Sequence, residues 1–252
     1  MRVSGGIFRE NKPELLRRRT VVIGFPGMAF IGKMTAEVLV EKLKLERIVV
    51  MYPIDAPGVV PVSDGLLKPP AINLYGSEES SIVVLTSDFQ PRSDEGMNRI
   101  AHKLLEYLAA REASAVLAAA AFVKPAVSRD RVVYVASSSK RELEKFESLG
   151  CIRMDGGISG LNGLVPGLAP AYGMNGSVLL GETSELFVAS GIVDYRAVAC
   201  VLRVISKAFN LNIDLTDIME KAEETEKKIR EAIEAETRKA RKGQEEEPPT
   251  HM

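Results

Sequence analysis

The chain has 252 residues, of which 46% are hydrophobic and 27% charged, and its formal net charge is −1. These values are ordinary for a soluble globular protein, and they predict one large domain or one domain with an appendage. The near-zero charge excludes a global field that would draw the chain to nucleic acid or to an anionic membrane.

Residues 1–19 are predicted to form only a polar lead-in, that is, an N-terminal segment without a strand or helix of its own. The first predicted strand–turn–helix unit runs from Thr20 to Leu43. Its strand prediction rests on the β-branched residues Val21 to Ile23, which are followed by Gly24-Phe25-Pro26-Gly27. Apolar residues at intervals of three and four then predict a helix up to Leu43. Such a unit opens a parallel α/β sheet, whose ligands or partners meet the turn at the carboxyl end of the strand.

The rest of the chain alternates strands with helices. Further strands are predicted at Arg47–Ile54, Ala71–Tyr75, Ser81–Ser87, Ala115–Phe122, Arg131–Ala136 and Ser177–Leu180. Helices are predicted from Ser93 or Asp94 to about Arg111, over Ser137–Leu149, within Ser159–Tyr172 and over Asp194–Phe209. This alternation predicts an α/β fold with a mixed, mostly parallel sheet that is covered by helices on both faces.

Two connections between these elements allow more than one interpretation. Asp64-Gly65 lies between apolar runs and is a hairpin signal, but prolines flank it, so the stretch 56–70 fits either an antiparallel excursion or a mobile loop. The stretch Met154 to Gly176 contains seven glycines. These glycines would either line a ligand cleft or permit close backbone packing at a subunit contact, and we expect packing.

From Asp214 the sequence predicts a charged helix with a thin apolar stripe that includes Ile218, Ala222 and Ile229. The stripe would pack on the parent domain or on a neighbouring subunit. The acidic, proline-containing tail from Gly243 predicts disorder. We therefore divide the chain into an α/β domain over residues 1–212 and a charged helix with a flexible tail over residues 213–252.

One stretch carries part of a nucleotide-binding signature. Gly27 to Lys33 matches the G-x-x-x-x-G-K portion of a phosphate-binding loop, which also needs a Ser or Thr for Mg²⁺ directly after the lysine. Met34 occupies that position, and Thr35 comes one residue late. We therefore prefer a helix start that packs into its own protein. Asp88, which follows a strand, is either an acid/base or metal-binding candidate or an ordinary turn residue.

The chain contains few of the Cys and His residues that most often bind metals or cofactors. Cys151 and Cys200 are far apart and form no metal-ligand spacing, and the chain has two histidines. We expect no metal and no cofactor. The first residues lack the apolar region of a signal peptide, and no apolar run reaches the roughly 20 residues of a membrane span, so we expect a cytoplasmic protein.

Several stretches together resemble the PAC2 family, the proteasome assembly chaperones and their archaeal relatives. They are GFPGMAFIGKMTAEVLVEKL, IDAPGVVPVSDGLLKPP, VVLTSDFQP and GISGLNGLVPGLAPAYGMNGSVLLGET, within Val21–Phe209. The resemblance implies an α/β fold similar to nucleoside phosphorylases but lacking their active site. It also implies a non-catalytic homo-oligomer or related heterodimer that binds proteasome α subunits or intermediates of 20S assembly.

Some members of that family dock through a C-terminal hydrophobic-Tyr-X tail, whereas this chain has Thr and His at the first two of these positions.

An ATP-grasp-like or nucleoside-cleaving enzyme remains the alternative function. It would bind phosphate through Gly27–Lys33 or the glycine-rich run and use Asp88 as acid/base. A scaffold without a proteasome link is a third possibility. For the turn, the competing interpretation is that it is buried within its own subunit or oligomer and does not contact a partner. The candidate partner-binding residues are Phe25, Pro26, Met28 and Phe30 in the turn, the loop 56–70, and Thr250, His251 and Met252 in the tail.

Overall fold

One ten-stranded mixed sheet forms the centre of the computed structural model, which describes the backbone of residues 2–3 and 6–245 and the side chains of residues 6–231 and 234. The strands are β1 (Arg2–Val3), β2 (Gly6–Glu10), β3 (Thr20–Gly24), β4 (Glu46–Pro53), β5 (Val62–Ser63), β6 (Leu66–Leu67), β7 (Ile72–Gly76), β8 (Ile82–Ser87), β9 (Ala115–Lys124), β10 (Val133–Ser137), β11 (Ile152–Arg153) and β12 (Asn175–Ser184). The sheet order is β1-β2-β4-β7-β8-β3-β9-β12-β10-β11, and β5 and β6 form a separate hairpin.

Seven α-helices and three short 3-10 helices complete the described fold. The α-helices are α1 (Ile31–Lys42), α2 (Asp94–Ala110), α3 (Lys140–Ser148), α4 (Leu161–Leu168), α5 (Glu185–Ser190), α6 (Tyr195–Phe209) and α7 (Thr216–Glu245). The 3-10 helices are Pro13–Leu16, Met28–Phe30 and Ala169–Tyr172. Ser93, one of the two predicted cap residues of α2, accepts a hydrogen bond from the Gly96 amide, and Asp194 accepts one from the Ala197 amide at the start of α6.

The strands β8, β3, β9 and β12 run parallel in the middle of the sheet. Two successive antiparallel pairings, β8 with β7 and β7 with β4, bring β4 into the same direction. The carboxyl ends of β3, β4, β8, β9 and β12 therefore lie along one edge of the sheet, which we call the carboxyl edge. This geometry follows from the strand–helix alternation, because each crossover returns the chain to the opposite edge.

Apolar side chains pack on both faces of the sheet, as the sequence predicts. On one face, Ile100 and Leu104 of α2 and Val165 of α4 belong to the core cluster. On the other face, Leu39 of α1 and Leu202 of α6 belong to the second cluster. The expected α/β fold with helices on both faces is confirmed.

The structure corrects the expectation that residues 1–19 are only a polar lead-in. β2 pairs antiparallel with β4, and Phe8 lies opposite Met51 in that ladder. Phe8 is buried, and its ring stacks on Tyr107 with 4.2 Å between the ring centroids. The strand is five residues long and surrounded by charged residues, so its hydrophobic periodicity is too short to identify it from the sequence.

The glycine-rich run provides close packing within the chain. A Cβ at Gly163 would lie 2.4 Å from the Ile158 carbonyl oxygen, and one at Gly176 would lie 1.8 Å from the Pro166 carbonyl oxygen. By contrast, a Cβ at Gly167 would meet no atom within 4 Å. The close packing that the structure shows is therefore within one chain and at particular glycines of the run, whereas packing of the run at a subunit contact stays a prediction.

The two glycines of α4 provide a matched test of this packing. We expect Gly163→Ala to destabilise the protein by about 1–3 kcal/mol, because the new methyl group overlaps the backbone of Ile158. Gly167→Ala should leave the stability unchanged or raise it by up to about 1 kcal/mol, because alanine favours a helix over glycine. Urea unfolding of the two variants and the wild type measures both changes, and equal effects at the two positions would contradict the packing argument.

The first half of α7 packs on the α/β domain and is held there by charged groups. Ile218 and Ala222 are buried against the domain. The guanidinium group of Arg196 in α6 donates two hydrogen bonds to the Glu226 carboxylate, at 2.6 and 2.8 Å. Near the start of α7, Lys42 donates to Asp217 at 2.7 Å. The apolar stripe thus covers the parent domain over these residues, whereas the proposed boundary at residue 212 stays a prediction.

Glu226 makes the attachment of α7 dependent on pH. Hydrogen bonding from Arg196 lowers the pKa of the Glu226 carboxyl below its ordinary value of 4.5. We expect Glu226→Gln to cost about 1–3 kcal/mol at pH 7, because a charge-assisted bidentate interaction is lost. Since the folded pKa is depressed, this contribution is complete above about pH 4.5 and disappears as the pH falls through the folded value.

Unfolding free energies of the wild type and Glu226→Gln between pH 3 and pH 7 measure this difference. Glu220→Gln is the control, because Glu220 lies exposed on the same helix. A difference between wild type and Glu226→Gln that stayed constant across the pH range would refute the assignment to Glu226.

Candidate functional site

The turn after β3 is fixed by a buried amide from the other half of the chain. The Phe25 amide donates to Oδ1 of Asn162 at 2.9 Å, and Nδ2 of Asn162 donates to the Phe25 carbonyl oxygen at 3.0 Å. Asn162 is 5% exposed and lies in the first turn of α4. Both polar groups of the Asn162 amide are therefore satisfied by the backbone of one residue.

Two further side chains hold the turn at either end. Thr86 of β8 donates through Oγ1 to the Gly24 carbonyl oxygen at 2.8 Å. Gln90 donates through Nε2 to the Pro26 carbonyl oxygen and accepts from the Leu161 amide at 2.8 Å. Gln90 thus connects the turn to the start of α4. The predicted turn forms, and side chains that sequence analysis did not single out hold it in place.

Within the turn, the predicted residues divide into an anchor and an exposed pair. Phe25 is fully buried, so its side chain has no surface to offer a partner, and Pro26 is half-buried. Met28 and Phe30 are 49% and 37% exposed. The backbone of Ala29 and Phe30 is left-handed, with φ values of 49° and 52°. This conformation is unfavourable for a bulky residue, and strain of this kind tends to occur at functional sites.

The match to a phosphate-binding loop does not extend to the geometry of one. Residues 28–30 form a 3-10 turn and α1 begins at Ile31. Lys33 forms ion pairs with Asp88 and, at 2.8 Å, with Glu37. Burial acts to lower the pKa of Lys33, but hydrogen bonds to Asp88 and Glu37 raise it above its ordinary value. The lysine therefore stays protonated in an ion pair, and Asp88 serves as one of its counter-charges.

The stretch 56–70 contains the hairpin that the Asp-Gly pair predicts. Asp64 and Gly65 both have positive φ, 51° and 74°, as a type I′ turn requires. Val62 pairs with Leu67 across the hairpin, and the Lys68 amide donates to the Pro61 carbonyl oxygen at 2.9 Å. Of the two interpretations that the sequence allows, the antiparallel excursion is the one that the structure shows.

Exposed apolar side chains concentrate at the carboxyl edge of the sheet. Of the twelve large apolar side chains that are exposed in the described residues, ten belong to segments that follow β3, β4 and β12. We call this set the apolar rim. Its members are Met28, Phe30, Ile54, Val59, Val60, Val62, Leu66, Leu67, Leu186 and Ile192.

A cavity of about 340 Å³ opens at the same edge, beside the turn. Its apolar side chains include Met28, Phe122, Met154 and Ile158, and none of the described residues that line it is Asp, Glu, Lys, Arg or His. The two amide side chains in its wall belong to Gln90 and Asn162, which are engaged with the backbone as described. The cavity is therefore suited to an uncharged, largely apolar group.

A second cavity, of about 530 Å³, lies between the loop after β9 and α7. It is lined by charged side chains that pair with one another: Arg129 with Glu223 at 2.8 Å, and Arg196 with Glu226. Arg131, which is almost completely buried, contacts Asp194 at 3.2 Å. The pairs of Arg129 with Glu223 and of Arg196 with Glu226 join α7 to the domain, so we assign this cavity to the attachment of the helix.

The remaining predictions concern metal ions, membrane spans and the C-terminal tail. Among these residues, no group of three His, Cys, Asp or Glu side chains could hold a metal ion. None of the helices in the described part of the chain has both the length and the hydropathy that a bilayer span requires. Thr250, His251 and Met252 lie outside the described residues.

Comparisons with known proteins agree on one group of relatives. The sequence profile of the PAC2 family matches residues 21–233. An uncharacterized protein of Methanocaldococcus jannaschii is 27% identical over 220 residues, which cover 86% of this chain and 83% of that protein.

Solved structures from Pyrococcus furiosus share the fold. PbaB, an archaeal proteasome activator, has a TM-score of 0.81 at 23% identity, over 91% of this chain and 99% of that chain. PbaA, an archaeal homolog of proteasome-assembly chaperone, has a TM-score of 0.76 at 25% identity, over 96% of this chain and 97% of that chain.

Replacing the amide that fixes the turn tests its role. We expect Asn162→Ala to destabilise the protein by about 2–4 kcal/mol, because the buried N–H and C=O groups of Phe25 both lose their partner. Asn98→Ala is the control, since Asn98 is exposed and bonds only within its own helix. Urea unfolding measures both variants, and a change below about 0.5 kcal/mol in Asn162→Ala would show that the turn does not depend on this amide.

Proposed function

This chain belongs to the PAC2 family, and on that premise we propose that it is a non-catalytic chaperone that assists proteasome assembly. It would bind proteasome α subunits, or assembly intermediates that contain them, as a homo-oligomer. The observation that carries the proposal is the apolar rim, which gathers most of the exposed large apolar side chains at one edge of the sheet. Exposed apolar side chains that are concentrated in one region of a protein are typical of protein–protein contact sites.

The relatives support a proteasome-related role. The family match confirms the resemblance inferred from the sequence motifs. PbaA, at 25% identity, is a homolog of a proteasome-assembly chaperone, and PbaB, which shares the fold, is a proteasome activator. A protein with this role acts by surface complementarity, and several copies of a weak contact in one oligomer raise the effective concentration of each contact. The same proposal places the protein in the cytoplasm.

The local chemistry supports recognition over catalysis. Lys33, which the phosphate-loop interpretation needs for a nucleotide, is paired with Asp88 and Glu37. Asp88, the acid/base candidate, has a side chain that is 88% exposed, so no enclosed site surrounds it. The cavity beside the turn has uncharged walls. To pair with the charge of Lys33, a nucleotide would have to replace the carboxylates of Asp88 and Glu37.

We expect a rim variant that combines Met28→Asp with Phe30→Gly to bind isolated proteasome α subunits at least about tenfold more weakly than the wild type. Met28→Asp places a charge in the contact. Phe30→Gly removes the exposed ring, and glycine tolerates the positive φ at this position. The measurement is surface plasmon resonance with α subunits from the same source.

Ile152→Asp is the control, because Ile152 is half exposed in β11 and lies outside the apolar rim. A chain that ends at Gly243 tests the contribution of the tail separately. If the wild type does not bind α subunits, the proteasome proposal is wrong. If the rim variant binds as tightly as the control, the contact lies elsewhere. Saturable calorimetric binding of ATP·Mg²⁺ that Lys33→Ala removes would favour the enzyme alternative.

A further inference from the structure

The cavity of about 530 Å³ between the loop after β9 and α7 carries an excess of positive charge. Four arginines line it: Arg129, Arg131, Arg196 and Arg230. Their carboxylate partners among the described residues are Glu223, Glu226 and Asp194. Four guanidinium groups therefore meet three carboxylates, and one positive charge is left without a counter-charge in the described part of the chain.

Arg131 places an unsatisfied donor at the wall of this cavity. Its side chain is 4% exposed, its Nη1 donates to the Ser128 carbonyl oxygen at 2.6 Å, and its Nη2 donates to the Asp194 carboxylate at 3.2 Å. Its Nε is buried and makes no hydrogen bond to any group that the structure describes. A buried donor of a charged group is unfavourable without an acceptor, and a ligand with an acceptor oxygen would supply one.

Two further donors line the same cavity. Arg230 lies one turn after Glu226 on α7, is exposed, and forms no ion pair with a described side chain. Ser184 ends β12, is buried, and makes no side-chain capping hydrogen bond to the described helix α5. Arg131 and Ser184 adjoin strands of the sheet, whereas Arg230 belongs to α7. A ligand that contacts all three would thus bridge the sheet and the helix.

The three donors and the walls of the cavity indicate the class of ligand. Guanidinium groups bind phosphates through charge-assisted hydrogen bonds. A phosphate monoester carries three acceptor oxygens, one for each donor, whereas a carboxylate carries two. Val127 and Phe187 add apolar side chains to the lining. The cavity volume lies in the range of small-molecule sites, so an organic group can occupy the space beside the phosphate.

We propose that this cavity binds the phosphate group of a small organic molecule through Arg131, Arg230 and Ser184, with the organic part against Val127 and Phe187. The ligand would hold α7 on the sheet in addition to the Arg196–Glu226 pair. The inference goes beyond the proposed function and does not depend on it, because it needs neither an oligomer nor a proteasome subunit.

Calorimetric titrations of the full chain in chloride buffer test the ligand class, at about pH 8, where a phosphate monoester carries nearly two negative charges. The probes are phenyl phosphate, inorganic phosphate and benzoate, which separate the contribution of the phosphate from that of the ring. We expect saturable binding of phenyl phosphate, and weaker binding of the other two. No saturable binding of phenyl phosphate would overturn the site. Benzoate binding as tight as that of phenyl phosphate would refute the phosphate assignment, and inorganic phosphate binding as tight would refute the apolar subsite.

Two variants at exposed lining residues assign the binding to this cavity. Arg230→Gln removes one donor, and we expect it to weaken the binding of phenyl phosphate at least about fivefold. Ala126→Glu places a carboxylate in the lining, and we expect it to abolish binding, because its charge repels the phosphate and pairs with the arginines. Circular dichroism checks that both variants are folded. Unchanged binding in both would overturn the site.

Two controls exclude other sources of the effect. Lys227→Gln removes the same charge from an exposed position of α7 that does not line the cavity. Lys33→Ala removes the lysine of the phosphate-loop match. Both should bind phenyl phosphate as the wild type does. Equal weakening by Lys227→Gln and Arg230→Gln would show a general charge effect, and loss of binding in Lys33→Ala would place the phosphate at the turn. Either result would overturn the proposal.

Hydrogen exchange tests the bridge between the sheet and α7. We expect phenyl phosphate to slow amide exchange in residues 216–230 of the wild type and of Lys227→Gln, but not of Arg230→Gln. Binding that leaves exchange in α7 unchanged would overturn the bridge. Binding of α subunits is measured separately, so the two proposals fail independently: a protein that binds phenyl phosphate but no α subunit supports this site and removes the proteasome role.

Discussion

The two hydrogen bonds between Asn162 and the backbone of Phe25 determine how the rest of the carboxyl edge is arranged. They join the end of β3 to the start of α4, although the two residues are 137 positions apart in the chain. Because Phe25 is buried beneath the turn, Met28 and Phe30 extend beyond it into solvent. Gln90 then connects the same turn to the loop after β8. The exposed residues therefore stand on a rigid support, as pre-organised binding surfaces require.

Small residues make this close arrangement possible. A Cβ at Gly24 would lie 2.0 Å from the Gly32 carbonyl oxygen, and one at Gly32 would lie 2.5 Å from the Ala119 carbonyl oxygen. The turn, α1 and the alanine-rich strand β9 therefore pack with their backbones almost in contact. Gly32, the second glycine of the phosphate-loop match, serves this packing, whereas a Cβ at Gly27 would make only an ordinary contact, 3.6 Å from Nδ2 of Asn162. The backbone between these two glycines supports the exposed ring of Phe30.

Sequence reasoning recovered the parts of the fold that depend on local periodicity. The buried strands and the amphipathic helices were predicted close to their observed positions, because apolar spacing records which face of an element is buried. It placed the turn correctly but could not tell that Phe25 is buried while Phe30 is exposed, since both are apolar residues of one turn. It also could not pair Asn162 with Phe25, because hydrogen bonds between distant residues leave no local signal. The strand β2 was missed for its short length.

The charged groups on α7 determine where the C-terminal segment points. Lys42, at the end of α1, pairs with Asp217 at the start of α7, whereas Arg196, at the start of α6, pairs with Glu226 nine residues later. Because α6 begins beside the turn, where the Asp194 amide donates to the Ala29 carbonyl oxygen, α7 runs toward the carboxyl edge. Residues 231–245 continue that helix for about 22 Å at 1.5 Å per residue. The second half of α7 and the apolar rim thus lie at the same edge of the sheet, so a partner that contacts one is positioned to contact the other.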